Sequence, residues 1–231
     1  MDQKPDVDAN ELVEKREWVL YGCISIFTAC LVISSITASK LWSLTLPVVD
    51  YEVIIPVGTS LFALTFLATD VVGEVWGKRH SMMIVYMGLI ARLMMLGFFA
   101  FAVNITPVSF YTGQQCYEAV LGGSSNIIIA GVIAYFISQT NDVFVFHYFK
   151  DRDQGKNLLW KRNNLSTFSS QFLDSFIFIV LAFYETATIS QLTGMIVGQV
   201  IVKWIIAILD TPFVYMLRNI ATHRKLFDFK G

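Results

Sequence analysis

Cysteine is scarce in this chain of 231 residues, and the three present are scattered. Cys23 and Cys30 fall in one apolar segment and Cys116 in a polar one. That odd, split count gives no disulfide framework, and no CxxC or Cys/His spacing suggests a metal. Catalytic signatures are missing too. The chain has no Gly-rich phosphate loop, no HExxH, no GxSxG and no Ser/His pair on two apolar segments. His80, His147 and His223 lie at or beyond the ends of apolar segments and read as surface residues. The first 17 residues carry six acids and three basic residues. They lack the basic-then-apolar order of a cleaved signal and read as a cytosolic tail. Internal repeats, linkers and low-complexity tracts are absent. Lys and Arg are missing from three stretches, 43–52, 105–120 and 185–190.

What is present is apolar surface. Hydrophobic residues make up 55% and the mean hydropathy is +0.58, too high for an ordinary soluble domain. Of 17 Lys and Arg, 14 sit in four stretches, 1–17, 77–80, 150–162 and 218–231, which alternate with the three empty ones. Cytoplasmic loops collect Lys and Arg, so the alternation predicts six membrane-spanning helices with both termini in the cytosol. The spans fall at about 18–41, 53–76, 81–104, 121–149, 164–184 and 190–217, each near the roughly 20 residues a bilayer needs. Strands of a membrane barrel are shorter and alternate, which excludes that architecture. Trp18, Trp76, Tyr148 and Trp160 mark the inner interface, and Trp42, Tyr51, Tyr111, Tyr117 and Tyr184 the outer. Gly73/Gly77 and Gly194/Gly198 are small-xxx-small pairs of the kind that let helices approach. The organisation is a tail at 1–17, one bundle at 18–217 and a second cytosolic tail at 218–231.

A charge at mid-membrane costs about 2.5–3.5 kcal/mol on insertion scales and faces a partner or a cavity. Asp70 and Glu74 (span 2), Arg92 (span 3), Asp142 (span 4), Asp174 (span 5), and Lys203 and Asp210 (span 6) are such residues. Gln139, Asn141, Gln171 and Gln199 accompany them. Asp70/Glu74 and Gln199/Lys203 are i,i+4, while Gln139/Asp142 and Gln171/Asp174 are i,i+3, so each pair shares a helix face. Facing inward, these four patches would line one hydrated cavity. Asp174 and Lys203 lie near mid-membrane and either pair structurally or contact a ligand. Arg92 either pairs with an acid on another helix or touches substrate. Asp210 either meets backbone groups freed by Pro212 or joins the cavity. Glu74 is either functional or simply wet. Lys40 reads as an interface anchor. Charge pattern alone gives a small polar-solute transporter or channel. The basic loops need no nucleic acid, since positive-inside sorting and anionic lipid account for them.

Four stretches carry a resemblance: TFLATDVVGEVWGK (65–78), AYFISQTNDVFVFHYFK (134–150), LWKRNNLSTFSSQFLDSFIFIVLAF (159–183) and GQVIVKWIIAILDTPFVYML (198–217). Together they resemble the queuosine precursor transporter family, also called the vitamin uptake transporter family. The resemblance implies an all-α, six-helix inner-membrane protein, similar to the substrate-binding subunits of energy-coupling-factor transporters but working without the ATPase. It implies a small-molecule cargo, 7-cyano- or 7-aminomethyl-7-deazaguanine or queuine, bound for tRNA modification. The alternative is a substrate-binding subunit of a multi-component vitamin or purine-like solute transporter. The matching positions are Asp70, Glu74, Gln139, Asp142, Asn163, Asn164, Gln171, Asp174, Lys203, Asp210 and Pro212. Of these, Asp70, Glu74, Gln139, Asp142, Asn164, Gln171, Asp174 and Lys203 are the candidate binding or coupling residues. Where relatives have SNIxASK, this chain reads SSITASK, with Ser35 in place of Asn. No cofactor or metal is expected. The partners expected are substrate and lipid, with a homodimer allowed.

A carboxylate suits a deazaguanine, because it accepts the ring N–H and the exocyclic amine together. Gln and Asn can read the remaining edges. Phe66, Phe172 or Trp204 would supply a stacking surface. By depth, Asp142 and Asp70 are the candidates to carry a proton.

Overall fold

The computed structural model describes residues 9–38, 40–46, 51–122, 125–152 and 158–222. The basic residues Lys4, Lys156, Arg224, Lys225 and Lys230, and His223, lie outside them. The elements are α1 (Ala9–Thr37), β1 (Leu41–Leu46), β2 (Tyr51–Pro56), α2 (Thr59–Val75), α3 (Lys78–Asn104), α4 (Gln114–Leu121), α5 (Ser125–Arg152), α6 (Leu159–Phe183) and α7 (Ile189–Ala221).

Five helical segments are long and apolar enough to cross a bilayer: Val13–Thr37, Lys78–Asn104, Ile129–Arg152, Leu159–Phe183 and Ile189–Ala221. The chain is therefore a multi-pass membrane protein. The expected second span is corrected. Its first residues are strand rather than helix, since Leu41–Leu46 and Tyr51–Pro56 pair antiparallel from Leu41↔Pro56 to Leu46↔Tyr51. β-branched and aromatic residues favour this hairpin. Strand thus takes up the described residues of the loop expected between spans 1 and 2, and part of the loop 105–120 is helical, as α4.

What remains helical, α2, has 17 residues. At 1.5 Å per residue it reaches about 25 Å, short of a core about 30 Å thick. Enclosure by other helices makes that tolerable. Twelve of its 17 residues are buried, and it packs on α1, α7, α3 and α5. Its ends meet protein rather than lipid, where backbone groups need no hydrocarbon-spanning length. The outer helix α3 is the opposite case. Only Ser81, Ile84, Val85 and Gly88 are buried, while Met87, Met94 and Phe98 are exposed.

Contacts gather basic residues at one end of the bundle. Arg16 lies 5.8 Å from the Trp76 ring, and Lys150 and Arg162 both reach Glu74. Nearby, the Tyr215 hydroxyl accepts from the Trp160 backbone N–H at 3.1 Å. His147, expected at the surface, is 7% exposed. Its ring lies against Gly73, where an added Cβ would meet it at 2.9 Å. Gly77, expected to pair with Gly73 on one helix, instead turns the chain between α2 and α3 at φ 87°. Only glycine adopts that backbone freely.

A second glycine fixes how α1, α3 and α5 meet. At Gly88 a Cβ would fall against the Tyr135 hydroxyl, Phe27 and Leu31. Tyr135 is fully buried and donates to the Val85 carbonyl at 2.7 Å. Gly88→Val should therefore destabilise the protein by about 1–3 kcal/mol through overpacking. Thermal unfolding in detergent measures this, and an unchanged midpoint would refute the packing described.

Candidate binding site

Two of the costly residues meet directly. Lys203 on α7 donates to Asp174 Oδ2 on α6 at 2.5 Å, and both are buried. Ser138 on α5 donates to the other oxygen, Oδ1, at 3.2 Å. The Lys203 ammonium also lies 5.4 Å from the Phe62 ring of α2. Four helices thus converge on one ion pair. The pair borders a cavity of about 50 Å³, whose lining includes Ser34, Phe62, Arg92, Phe178 and Gln199. Pro56, Gly58 and Thr59, where the hairpin hands over to α2, line it as well. The Gln199 carbonyl oxygen is buried with no hydrogen-bond partner.

Among the described residues Arg92 forms no ion pair with an acid, the first of its two expected settings. It lines the cavity, and it is anchored by donating to the Gly131 carbonyl at 2.9 Å. The missing side chain at Gly131 makes room for it, since a Cβ there would lie 2.8 Å from a guanidinium nitrogen.

The other expected site residues are distributed rather than gathered. Asp70 and Asp142 lie side by side, with Asp210 close to both. Thr167 donates to Asp70 Oδ2 at 3.2 Å. Asp142 is fully buried, and its carboxyl lies within hydrogen-bonding reach of the Asp70 carboxyl. The hydroxyls of Thr69, Ser166 and Ser170 also reach Asp142, and each lies within reach of a backbone carbonyl of its own helix, Phe66 O, Asn163 O and Ser166 O. Among the described residues, no basic side chain pairs with these three acids. Asp210 thus joins the acids of α2 and α5.

Gln139 joins α5 to α2, donating to Thr65 Oγ1 at 2.7 Å. Gln171 is fully buried, and both of its amide atoms lack partners. Asn164 ties α6 to α7 through Thr211 at 3.1 Å. Glu74 accepts from Arg162 at 2.6 Å and sits 3.3 Å from Lys150. Lys150 also donates to the Gly73 and Glu74 carbonyls that end α2. Glu74 therefore locks α2, α5 and α6 together. The single cavity lined by four polar patches becomes three separate settings: a cavity with Asp174 and Lys203, an acid cluster, and an ion lock.

Comparison with known proteins decides the class. Residues 56–217 match the family model described as "Putative vitamin uptake transporter". The chain belongs to the vitamin uptake transporter family. One relative is the "Probable queuosine precursor transporter" of Bacillus subtilis (strain 168), 25% identical over 162 residues, covering 70% of this chain and 71% of that protein. No solved structure matches. Membership in the vitamin uptake transporter family makes this chain a transporter and not an enzyme. The matched span contains the cavity's Asp174, Lys203, Gln199 and Arg92, and all three acids of the cluster. Ser34, which also lines the cavity, falls before it.

Gln199, which its i,i+4 spacing already put on one face with Lys203, lines the cavity although it was not among the candidate binding residues. Ser138 and Phe178 had no signal, because a serine or phenylalanine costs little inside a bundle.

A buried pair is costly to break and cheap to replace as a whole. Lys203→Met alone should destabilise by about 3–5 kcal/mol, leaving Asp174 charged and unpaired. Adding Asp174→Leu should restore most of it. Unfolding of the two single variants and the double in detergent forms the cycle, and additive losses would show that the two do not interact.

Proposed function

We propose that this protein imports 7-deazaguanine precursors of queuosine across the cytoplasmic membrane. The observation carrying this reading is the buried Asp174–Lys203 pair bordering a cavity, in a chain of the vitamin uptake transporter family. The name of the Bacillus relative supplies the cargo class. In this reading Asp174 turns from Lys203 to the ring N–H and exocyclic amine of the base. Lys203, freed, donates to the base's carbonyl, and Gln199 reads another edge. A ligand lacking these groups leaves the pair buried and unmatched, which gives sharp discrimination. The cavity is smaller than a bicyclic base, so entry moves its lining side chains.

Six spans, counting α2 with the hairpin before it, agree with the alternation of basic stretches. The end holding Arg16, Lys150 and Arg162 then faces the cytosol, as in substrate-binding subunits of energy-coupling-factor transporters. Asp70, Asp142 and Asp210 lie on the cytosolic side of the cavity and carry a coupling proton. Asp142→Asn should abolish the dependence of uptake on external pH. Unchanged uptake with unchanged pH dependence would remove the acid cluster from the mechanism.

The reading is tested in cells that neither make nor import the precursors. Expression of this chain with nanomolar cyano base, aminomethyl base or queuine should restore queuosine in tRNA. Asp174→Asn and the double variant Lys203→Met with Asp174→Leu, in which the pair is replaced as a whole, should abolish it at membrane levels matched to wild type. Failure with all three compounds at normal membrane expression would reject the reading.

A further inference from the structure

The two residues whose roles the sequence leaves open, Ser35 and Arg92, line one space. A second cavity of about 80 Å³ lies beside the first, and Ala38, Arg92 and Phe178 line both. They form the partition between the two chambers. The rest of the second chamber's wall includes Met95, Leu96 and Phe99 of α3, with Leu121 of α4. Among the described residues that line it, Ser35 and Arg92 bring the polar side chains.

The chemistry of the two chambers differs. The first holds a carboxylate, an ammonium and an amide, which suits the polar edge of a planar base. Among the described residues the second is lined by apolar side chains apart from a donor, Arg92, and an acceptor, Ser35. Arg92 keeps guanidinium N–H groups beyond the one given to Gly131. Ser35 Oγ donates to the Leu31 carbonyl at 2.7 Å, so toward the chamber it offers only lone pairs. A hydroxyl accepts from Arg92 and donates to Ser35. A cation is repelled by Arg92 and finds no carboxylate among the described residues of this chamber.

We propose that the second chamber is a subsite for the 7-substituent of the ligand, and that it takes an uncharged, ring-sized, hydroxyl-bearing group such as the cyclopentenediol of queuine. The inference rests on the proposed 7-deazaguanine cargo and adds where its substituent goes. The base occupies the Asp174 side of the partition. The substituent passes Arg92 and Phe178, and any linking amine stays on the Asp174 side. The small cyano and aminomethyl groups do not reach beyond the partition.

Filling the chamber separates the substrates. Leu96→Trp fills it without touching Asp174 or Lys203, and Leu96→Ala enlarges it. Uptake of queuine, cyano base and aminomethyl base is measured for wild type and both variants, at matched membrane levels. The expected result is a loss of queuine uptake of about tenfold or more in Leu96→Trp, with the cyano base within about twofold of wild type. Leu96→Ala should keep queuine uptake. Should Leu96→Trp not reach the membrane, Ser35→Phe serves in its place. Equal loss of all three compounds, or no loss of queuine, would overturn the subsite while leaving import of deazaguanines standing. A wild type that takes the cyano base but not queuine would overturn it as well. A wild type that takes none of the three fails the cargo reading itself, and the subsite with it.

Discussion

Burying charge in an apolar medium is the constraint on which this structure turns. Asp174 and Lys203 each forfeit water, and together with Ser138 they recover part of that cost in hydrogen bonds. The pair is held by α6 and α7, while α5 and α2 supply Ser138 and Phe62 around it. Because one pair engages four helices, their relative placement is tied to a single electrostatic contact. The same contact gives the cavity its polarity. In the proposed function this pair exchanges one partner for another when a polar ligand arrives.

The short central helix follows from the same economy. α2 carries Thr65, Thr69, Asp70 and Glu74 on a segment too short to face lipid. Wrapped by α1, α3, α5 and α7, it meets polar groups instead: Gln139 at Thr65, Thr167 at Asp70, Arg162 at Glu74. Polar residues run its length, so the line from the cavity to the basic end of the bundle is hydrophilic within an apolar shell. α3 shows the complement, with large apolar side chains outward and one arginine turned in against Gly131.

Much of this was legible beforehand, for physical reasons. A charge in an apolar span is expensive, so Asp70, Arg92, Asp142, Asp174 and Lys203 identify themselves without any structure. Five of the expected spans are long apolar helices close to their expected bounds. Other features were hidden. The strand Tyr51–Pro56 reads as apolar helix because a short apolar run has no diagnostic period. His147 is a polar residue near a helix end, and its burial against Gly73 depends on how another helix packs. Gly77 fits a packing motif by spacing, yet its backbone makes a corner.

The sequence by itself determined which segments are apolar, how the basic residues alternate, and which side chains are too costly to meet lipid. These are one-dimensional properties, set by composition and by periods of three and four along a helix. Tertiary structure alone decided who meets whom. Spacing puts Glu74 on the same face as Asp70, but it is Arg162 and Lys150 that claim it. Depth along the spans already offered Asp174 as the partner of Lys203, but nothing in the sequence tells that Ser138 joins them, nor that Arg92 lines two cavities. Periodicity fixes the direction in which a side chain leaves its own helix. Its partner depends on the rotation and depth of a different helix, and those are set only when all the helices pack at once.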